Sequence, residues 1–347
     1  MEKQWMIYGA NGYTGRLAAE RARDTGMSPI LAGRNAGAVE ALANELGLES
    51  RVFSLDEAAD RLEDVSTVLH CAGPFSATAR PMMEACLQSK THYLDITGEI
   101  SVFQTGHGYA AQAEKTGICL CPGVGFDVVP TDCLAARLHQ EMPDATELVL
   151  AFEAGGGPSP GTAKTSIEGL GKGGMIRRDG ELVVVPLAHD VTTIDFGQGP
   201  RTAMTIPWGD VYTAYVSTGI PGIRVYMSVP PSLPARLRRL RWLQPVLGSG
   251  MVQGFLKSRV EKSVRGPDAD RRENTQSRVW GQVRNASGEQ REALMLTPNG
   301  YELTVTASLG VVKRLLAREA PAGFHTPSSL MGAHYAESLP GVSLTFS

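Results

Sequence analysis

Apolar and polar positions alternate between two periods along the first 127 residues. Gln4 to Tyr8 is a short apolar run that reads as a buried strand. Arg16 to Arg23 follows as a helix, with Leu17, Ala18, Ala22 and Thr25 available for packing. Pro29 to Ala32 is a second strand. Ala36, Val39, Leu42, Ala43 and Leu46 recur at helical spacing, and Gly47 ends that helix. Arg51 to Leu55 reads as a strand, Asp56 to Leu62 as a short helix, and Ser66 to Ala72 as a fourth strand. Arg80 to Lys90 predicts a helix that buries Met82, Met83, Ala85, Cys86 and Leu87. His92 to Glu99 runs from a strand into a polar turn, and alternation places Asp95 and Thr97 on one face. A helix through Tyr109 to Lys115, a strand over Gly117 to Pro122 and a helix from Thr131 or Asp132 to Gln140 complete the series. Repeated strand–helix alternation predicts an α/β fold with a Rossmann-type, doubly wound parallel sheet.

Beyond residue 140 the pattern changes. Glu147 to Glu153 alternates as a strand, Gly155 to Gly161 is a loop by composition, and Thr162 to Leu170 reads as a helix. Asp179-Gly180 separates two apolar runs, which predicts a hairpin. Short β-like segments follow at 181–186, 191–196, 202–206, 223–229, 277–284, 291–296 and 301–305. Ala307 to Glu319 reads as a helix, Gly323 to Pro327 as a loop, and Ser328 to Ser338 as a last helix returning to the first domain. These signals predict an α+β substrate and dimerisation domain with a mixed or antiparallel sheet. The expected division is 1–127 with 323–347 for the first domain and 128–322 for the second.

Bulk numbers narrow the function classes. A length of 347 residues suits two domains. A net charge of −3 gives no reason to expect nucleic acid. Five cysteines, an odd number, argue for a reducing, cytoplasmic setting. The N-terminus runs directly into the first strand, so no targeting segment is expected ahead of the fold. No apolar stretch reaches the ~18 residues of a membrane span. One segment, 233–262, stands apart: Leu233, Leu237, Leu240, Leu243, Val246 and Leu247 interleave with Arg236, Arg238, Arg239 and Arg241 beside Trp242. A basic amphipathic helix of this kind suits peripheral contact with an anionic membrane, or simply a solvated surface face.

The chemistry concentrates in Gly9-Ala10-Asn11-Gly12-Tyr13-Thr14-Gly15, between the first strand and the first helix. Gly9 permits the tight turn, Gly12 admits a pyrophosphate to the backbone, and Gly15 lets helix and strand pack closely. Phosphates bind the N–H groups at the positive end of the helix dipole. Arg34, followed by Asn35, lies nineteen residues past Gly15, where an NAD site places an acidic residue. An arginine suits the 2′-phosphate of NADP(H) instead, and Arg16 is a second candidate charge on the same side. Cys71, Ala72, Gly73, Pro74 and Phe75 form the loop after the fourth strand, which borders the nicotinamide side or simply packs in the core. Glu99 and Asp127 sit at strand ends where ligands bind, although capping and loop hydrogen bonds also suit them. Lys164 follows the glycine-rich loop as a candidate proton donor or anion anchor, with a helix-surface cation as the bland reading. Tyr212, Tyr215 and His325 are further candidates. Cys119 and Cys121 form a lone C-x-C inside a strand and read as packing, so no metal is expected.

As a set, the segments Tyr8–Gly15, Ala32–Arg34, Cys71–Phe75, Tyr93–Glu99 and Gly123–Asp127 resemble the saccharopine dehydrogenase-like oxidoreductases, in the trans-acting enoyl reductase branch. Gly161–Thr165 and Pro207–Asp210 extend the likeness less sharply. The resemblance implies a Rossmann domain for NADP(H), a separate substrate domain, hydride transfer to a C=C, C=O or C=N bond, and a small or lipid-like substrate. It also implies a last helix that closes back on the cofactor domain, and membrane association in some members. The arginine-rich amino-acid recognition set of saccharopine chemistry is not found in this sequence. A homodimer is expected from the second domain's sheet. The alternatives are an NADP(H)-binding sensor and a membrane-associated protein without turnover.

Overall fold

The structure is a computed structural model and describes residues 4–243, 249–317 and 321–347. In chain order the first elements are β1 (Gln4–Tyr8), α1 (Tyr13–Asp24), β2 (Ile30–Gly33), α2 (Ala36–Leu46), β3 (Ser50–Val52) and α3 (Ala58–Arg61). Then come β4 (Val65–His70), α4 (Phe75–Ser89), β5 (His92–Asp95), α5 (Ile100–Gly108), α6 (Ala110–Thr116) and β6 (Cys119–Cys121). The middle of the chain holds α7 (Val129–Glu141), β7 (Ala145–Glu153), α8 (Pro160–Lys172), β8 (Gly174–Arg178), β9 (Glu181–Val185), β10 (Val191–Asp195), β11 (Pro200–Thr205), α9 (Asp210–Thr218) and β12 (Gly222–Ser228). It continues through α10 (Leu233–Leu240), α11 (Gly250–Ser263), α12 (Ala269–Asn274), β13 (Gln276–Asn285) and β14 (Gln290–Pro298). The last elements are α13 (Gly300–Leu316), β15 (Gly323–Phe324), α14 (Pro327–Met331) and β16 (Ser343–Phe346).

The chain forms two compact units, Met1–Val129 with Tyr301–Gly332, and Pro130–Gly300 with Ala333–Ser347. The first unit is a seven-stranded sheet in the order β15-β6-β5-β4-β1-β2-β3, with every pairing parallel. Parallel strands need helical crossovers, which cover both faces, so β1, β2 and β4 to β6 are buried along nearly their whole length. Strand order reverses between β1 and β4. Small residues let the first crossover lie close: Gly15, Ala18, Ala19 and Ala22 are the buried side of α1. Gly47 closes α2 in the left-handed conformation at φ 67°.

The second unit is built on a mixed sheet in the order β10-β11-β12-β7-β13-β14-β16, with the hairpin β8–β9 attached through β12. Within this second sheet, among the described strands, only the β12–β7 pair is parallel. Asp179 and Gly180 take φ of 50° and 81°, the two positive values of a type I′ hairpin turn. On the face covered by α7, Gly281 leaves room for Leu134 and Leu138.

Several elements depart from the expected pattern. The helix expected from Arg80 begins at Phe75, directly after Pro74, and carries Pro81 in its interior. Pro81 donates no N–H to α4, whose buried side chains run from Ala79 to Leu87. Tyr301–Val305, rich in strand formers, is the first turn of α13. Leu303, Thr304 and Val305 are buried there, and tertiary burial outweighs β-propensity. Gly323–Phe324 forms a two-residue strand beside β6, too short to carry a period. The helix expected over Ser328–Ser338 is confined to α14, followed by a 3-10 turn at Ala336–Ser338 and by β16 against β14. The helix α9 carries no clear period and was not foreseen. Val246, Leu247 and Glu319 lie outside the described residues.

Thr304 connects this correction to the site. Its Oγ1 accepts the buried N–H of Phe126 at 2.9 Å. Thr304→Val keeps the shape and orphans that donor, at an expected cost of about 1–3 kcal/mol. Urea unfolding should show a lower midpoint; an unchanged midpoint would mean the N–H finds another acceptor.

Candidate active site

The carboxyl ends of β1, β2, β4, β5 and β6 carry most of the site residues expected from sequence. The glycine loop leaves β1 at the point where strand order reverses, which is where open α/β sheets bind ligands. Gly9 has φ 82°, and a Cβ there would stand 2.7 Å from the Ala72 nitrogen. A Cβ on Gly15 would collide with the Gly9 carbonyl oxygen. Gly12 N donates to Gly9 O at 3.0 Å, which closes the turn. Gly12 caps α1 without any side-chain hydrogen bond, and the first turn of α1 holds no acidic residue. The positive end of this helix is therefore neither capped by a side chain nor neutralised, as an anion site requires. Tyr13 begins α1 and meets the ring of Tyr301 edge-on, 4.9 Å between centroids.

Asn11 Oδ1 lies over Gly33, where a Cβ would approach it to 3.1 Å. Arg34 is exposed at the end of β2 and forms no ion pair among the described residues. Its charge reaches Tyr8, whose hydroxyl it helps to ionise against the effect of burial. Asn35 Oδ1 accepts Ala38 N at 3.2 Å and so caps α2. Arg16, a second candidate charge, is held by Glu20 and Glu45. An anion at this corner therefore has Arg34, not Arg16, as its unpaired guanidinium.

The loop after β4 is tightly held. Cys71 N donates to Tyr8 O at 2.7 Å. Thr78 Oγ1 lies 2.6 Å from Ala72 O and 3.1 Å from Pro74 O. Gly73-Pro74 is a cis peptide. Phe75 N donates to Glu99 Oε1 at 3.2 Å, so Glu99 receives the first N–H of α4. Burial, with Asp95 nearby, pushes the Cys71 thiol up to about 12, and it stays a thiol at neutral pH.

Three carboxyl groups gather at the ends of β5 and β6. Asp95 is fully buried and accepts three hydrogen bonds, from Tyr93 Oη at 2.6 Å, Thr97 N at 3.0 Å and Gly123 N at 2.8 Å. Burial pushes it up to about 6 against the pull of those donors. Asp127 lies beside Gly98, where a Cβ would stand 3.2 Å from its Oδ2. Burial and then the nearby Glu99 push Asp127 up to about 7. A carboxyl that titrates near neutrality can both give and take a proton.

Other candidates lie elsewhere. Lys164 belongs to the second unit, half-buried on α8, whose N-cap Ser159 accepts Thr162 N. Tyr212 and Tyr215, also in the second unit, flank the Arg177 guanidinium at 5.8 and 4.0 Å from their ring centroids. His325 Nε2 faces Ala322 O at 3.2 Å. Cys119 and Cys121 are buried in β6, and no group of three metal-binding side chains occurs among the described residues. Sequence reasoning missed Thr304 and Tyr301, because it read their segment as a strand. It placed Asp95 on the Thr97 face without a role.

Comparisons with known proteins fit this geometry. Residues 5–121 match the family described as the Saccharopine dehydrogenase NADP binding domain. A saccharopine dehydrogenase-like oxidoreductase of Rattus norvegicus is 27% identical over 207 residues, covering 50% of this chain and 48% of that one. A putative trans-acting enoyl reductase of Mycobacterium tuberculosis is 31% identical over 184 residues, covering 48% and 43%. The chain thus spans about half the length of the curated relatives it matches. Apo saccharopine dehydrogenase (L-Glu forming) from Saccharomyces cerevisiae shares the fold at TM-score 0.65 and 10% identity, covering 99% of this chain and 100% of that one.

The elevated Asp127 has a consequence for stability. Its folded value, about 7, lies above the ordinary carboxyl value near ~4. The folded state thus binds the proton more tightly, and stability is lost as pH rises from about 4 through about 7. Asp127→Asn removes the ionisation cost and should stabilise the protein at pH 8 by on the order of 2–4 kcal/mol, with little effect at pH 4. Thermal melts at both values check this; an equal shift at each would refute the elevated titration.

Proposed function

We propose that the first unit binds NADP(H) and that the protein is an NADPH-dependent reductase. Its substrate is small or lipid-like and offers a C=C, C=O or C=N bond. One observation carries the reading: an uncapped helix N-terminus and a carboxyl titrating near neutrality stand at the same end of one sheet. When bound, the dihydronicotinamide supplies the hydride. The protein's own residues do the rest. The Gly9–Gly15 loop holds the pyrophosphate, and Arg34 takes the 2′-phosphate as a charge-assisted contact. The Cys71–Phe75 loop would border the nicotinamide side. Protonated Asp127 would be the residue that supplies the proton to the reduced substrate, and the charge of Glu99 favours the protonated form of Asp127. Within the second unit, Lys164 on α8 is the candidate anion anchor or proton donor.

Wild type should bind NADPH more tightly than NADH. Arg34→Asp should weaken NADPH binding by about 1.5–3 kcal/mol and leave NADH nearly unchanged. Equal wild-type affinities, measured by fluorescence titration, contradict the assignment of Arg34. Oxidation of NADPH with a panel of enoyl and keto substrates separates a reductase from a sensor.

A second reading has its own observation. Trp242, Met251 and Phe255 are 77%, 88% and 63% exposed, all within the basic segment 233–262. Large apolar side chains left in water beside arginines suit the surface of an anionic bilayer. Arg238 and Arg241 donate to the carbonyls of Ala188 and Leu187, which leaves Arg236 and Arg239 on the exposed side. No described helix is long and apolar enough to cross a membrane. Co-sedimentation with phosphatidylserine vesicles should fall when Trp242 and Phe255 are both changed to Ala; unchanged binding removes this contact.

A further inference from the structure

His70 ends β4 at the edge of the loop assigned to the cofactor, and the ring is fully buried. It is surrounded by the rings of Tyr8, Phe75 and Tyr93, with centroids 5.5, 5.6 and 6.2 Å away. Its Nε2 lies 3.0 Å from Thr78 Oγ1. Its Nδ1 is buried and has no hydrogen-bond partner.

The proton positions follow from valence. Thr78 Oγ1 has one proton and lies 2.6 Å from Ala72 O and 3.1 Å from Pro74 O. Carbonyl oxygens only accept, so the hydroxyl proton is committed to them. Oγ1 must then accept from the histidine, which fixes the ring proton on Nε2 and leaves Nδ1 as the bare nitrogen. An apolar cage around Nδ1 is compatible with that tautomer and unfavourable for a charged ring, and burial drives the imidazolium value down to about 3. Both anchored carbonyls belong to the Cys71–Phe75 loop, and the Ala72 nitrogen is the atom nearest to the place a Cβ on Gly9 would take.

We propose that His70 is a positioning residue: its Nε2–H orients the Thr78 hydroxyl so that this one group pins the carbonyls of Ala72 and Pro74 and presets the loop. The chain of contacts runs His70 to Thr78 to loop. No step of it touches substrate. The consequence for affinity rests on the cofactor site proposed above, whereas the pinning itself does not.

Three measurements on the full-length protein test it. Long-range 1H–15N spectra of the free protein at neutral pH should show the His70 ring neutral and protonated at Nε2. An Nδ1–H or charged ring would overturn the proposal. Amide hydrogen exchange across residues 71–78 should speed up about tenfold in His70→Leu and in Thr78→Val, and stay near wild type in His70→Gln, whose amide N–H reaches the Nε2 position. Exchange unchanged in Thr78→Val, which keeps the fold's packing, overturns it as well. Dissociation constants for NADPH should rise in the same two variants and recover in His70→Gln. If wild type fails to bind NADPH, the cofactor reading falls, while tautomer and exchange still decide the pinning.

Discussion

Bare backbone passes unusually close to itself between β1 and β4, and the carboxyl end of the first unit's sheet depends on that approach. Gly9 stands against Ala72, and Gly15 stands against the Gly9 carbonyl. No side chain fits at either position, so the turn is as tight as the backbone allows. Its tightness sets the start of α1 beside the neighbouring strand's loop, with the helix dipole open toward the crevice. The second and third turns of the site inherit this placement. Asn11 reaches over Gly33, which fixes where the chain leaves β2 and hence where Arg34 stands. The loop after β4 is tied back to β1 through Cys71 N and Tyr8 O.

A second constraint acts on charge. Asp95, Glu99 and Asp127 lie where the ends of β5 and β6 converge, and removal of water raises the proton affinity of Asp95 and Asp127. The two carboxyls differ in what restrains that rise. Asp95 is fully buried and fed by three donors, so it serves to join the end of β5 to the Gly123 turn. Burial and then Glu99 raise the proton affinity of Asp127, the carboxyl assigned above to proton exchange. The three donors to Asp95 mark it as a structural joint at the end of β5.

Much of this was legible along the chain, for local reasons. The strand–helix alternation, the glycine spacing and the hairpin at Asp179-Gly180 each follow from what a few consecutive residues can do with their backbone and their apolar faces. The errors share a cause in longer range. Tyr301 to Val305 has strand formers by type, yet burial in the first unit makes it helical, and Thr304 there accepts an N–H from a residue 178 positions away. Gly323-Phe324 becomes a strand only because β6 offers it an edge. Arg16 is a free cation in sequence and a paired one in space, since Glu45 comes from the next helix.

The sequence by itself determined the doubly wound sheet, the tight glycine turn after β1 and the arginine at the end of β2. Glycine conformations, apolar periods and a charge at a fixed spacing act within one strand–turn–helix, and the chain order carries them. Only the tertiary structure decided which carboxyls are buried, which rings surround His70 and which polar groups hold the loop after β4. Desolvation and hydrogen-bond direction depend on what the rest of the chain packs around a group, and neither is written in its neighbours along the sequence.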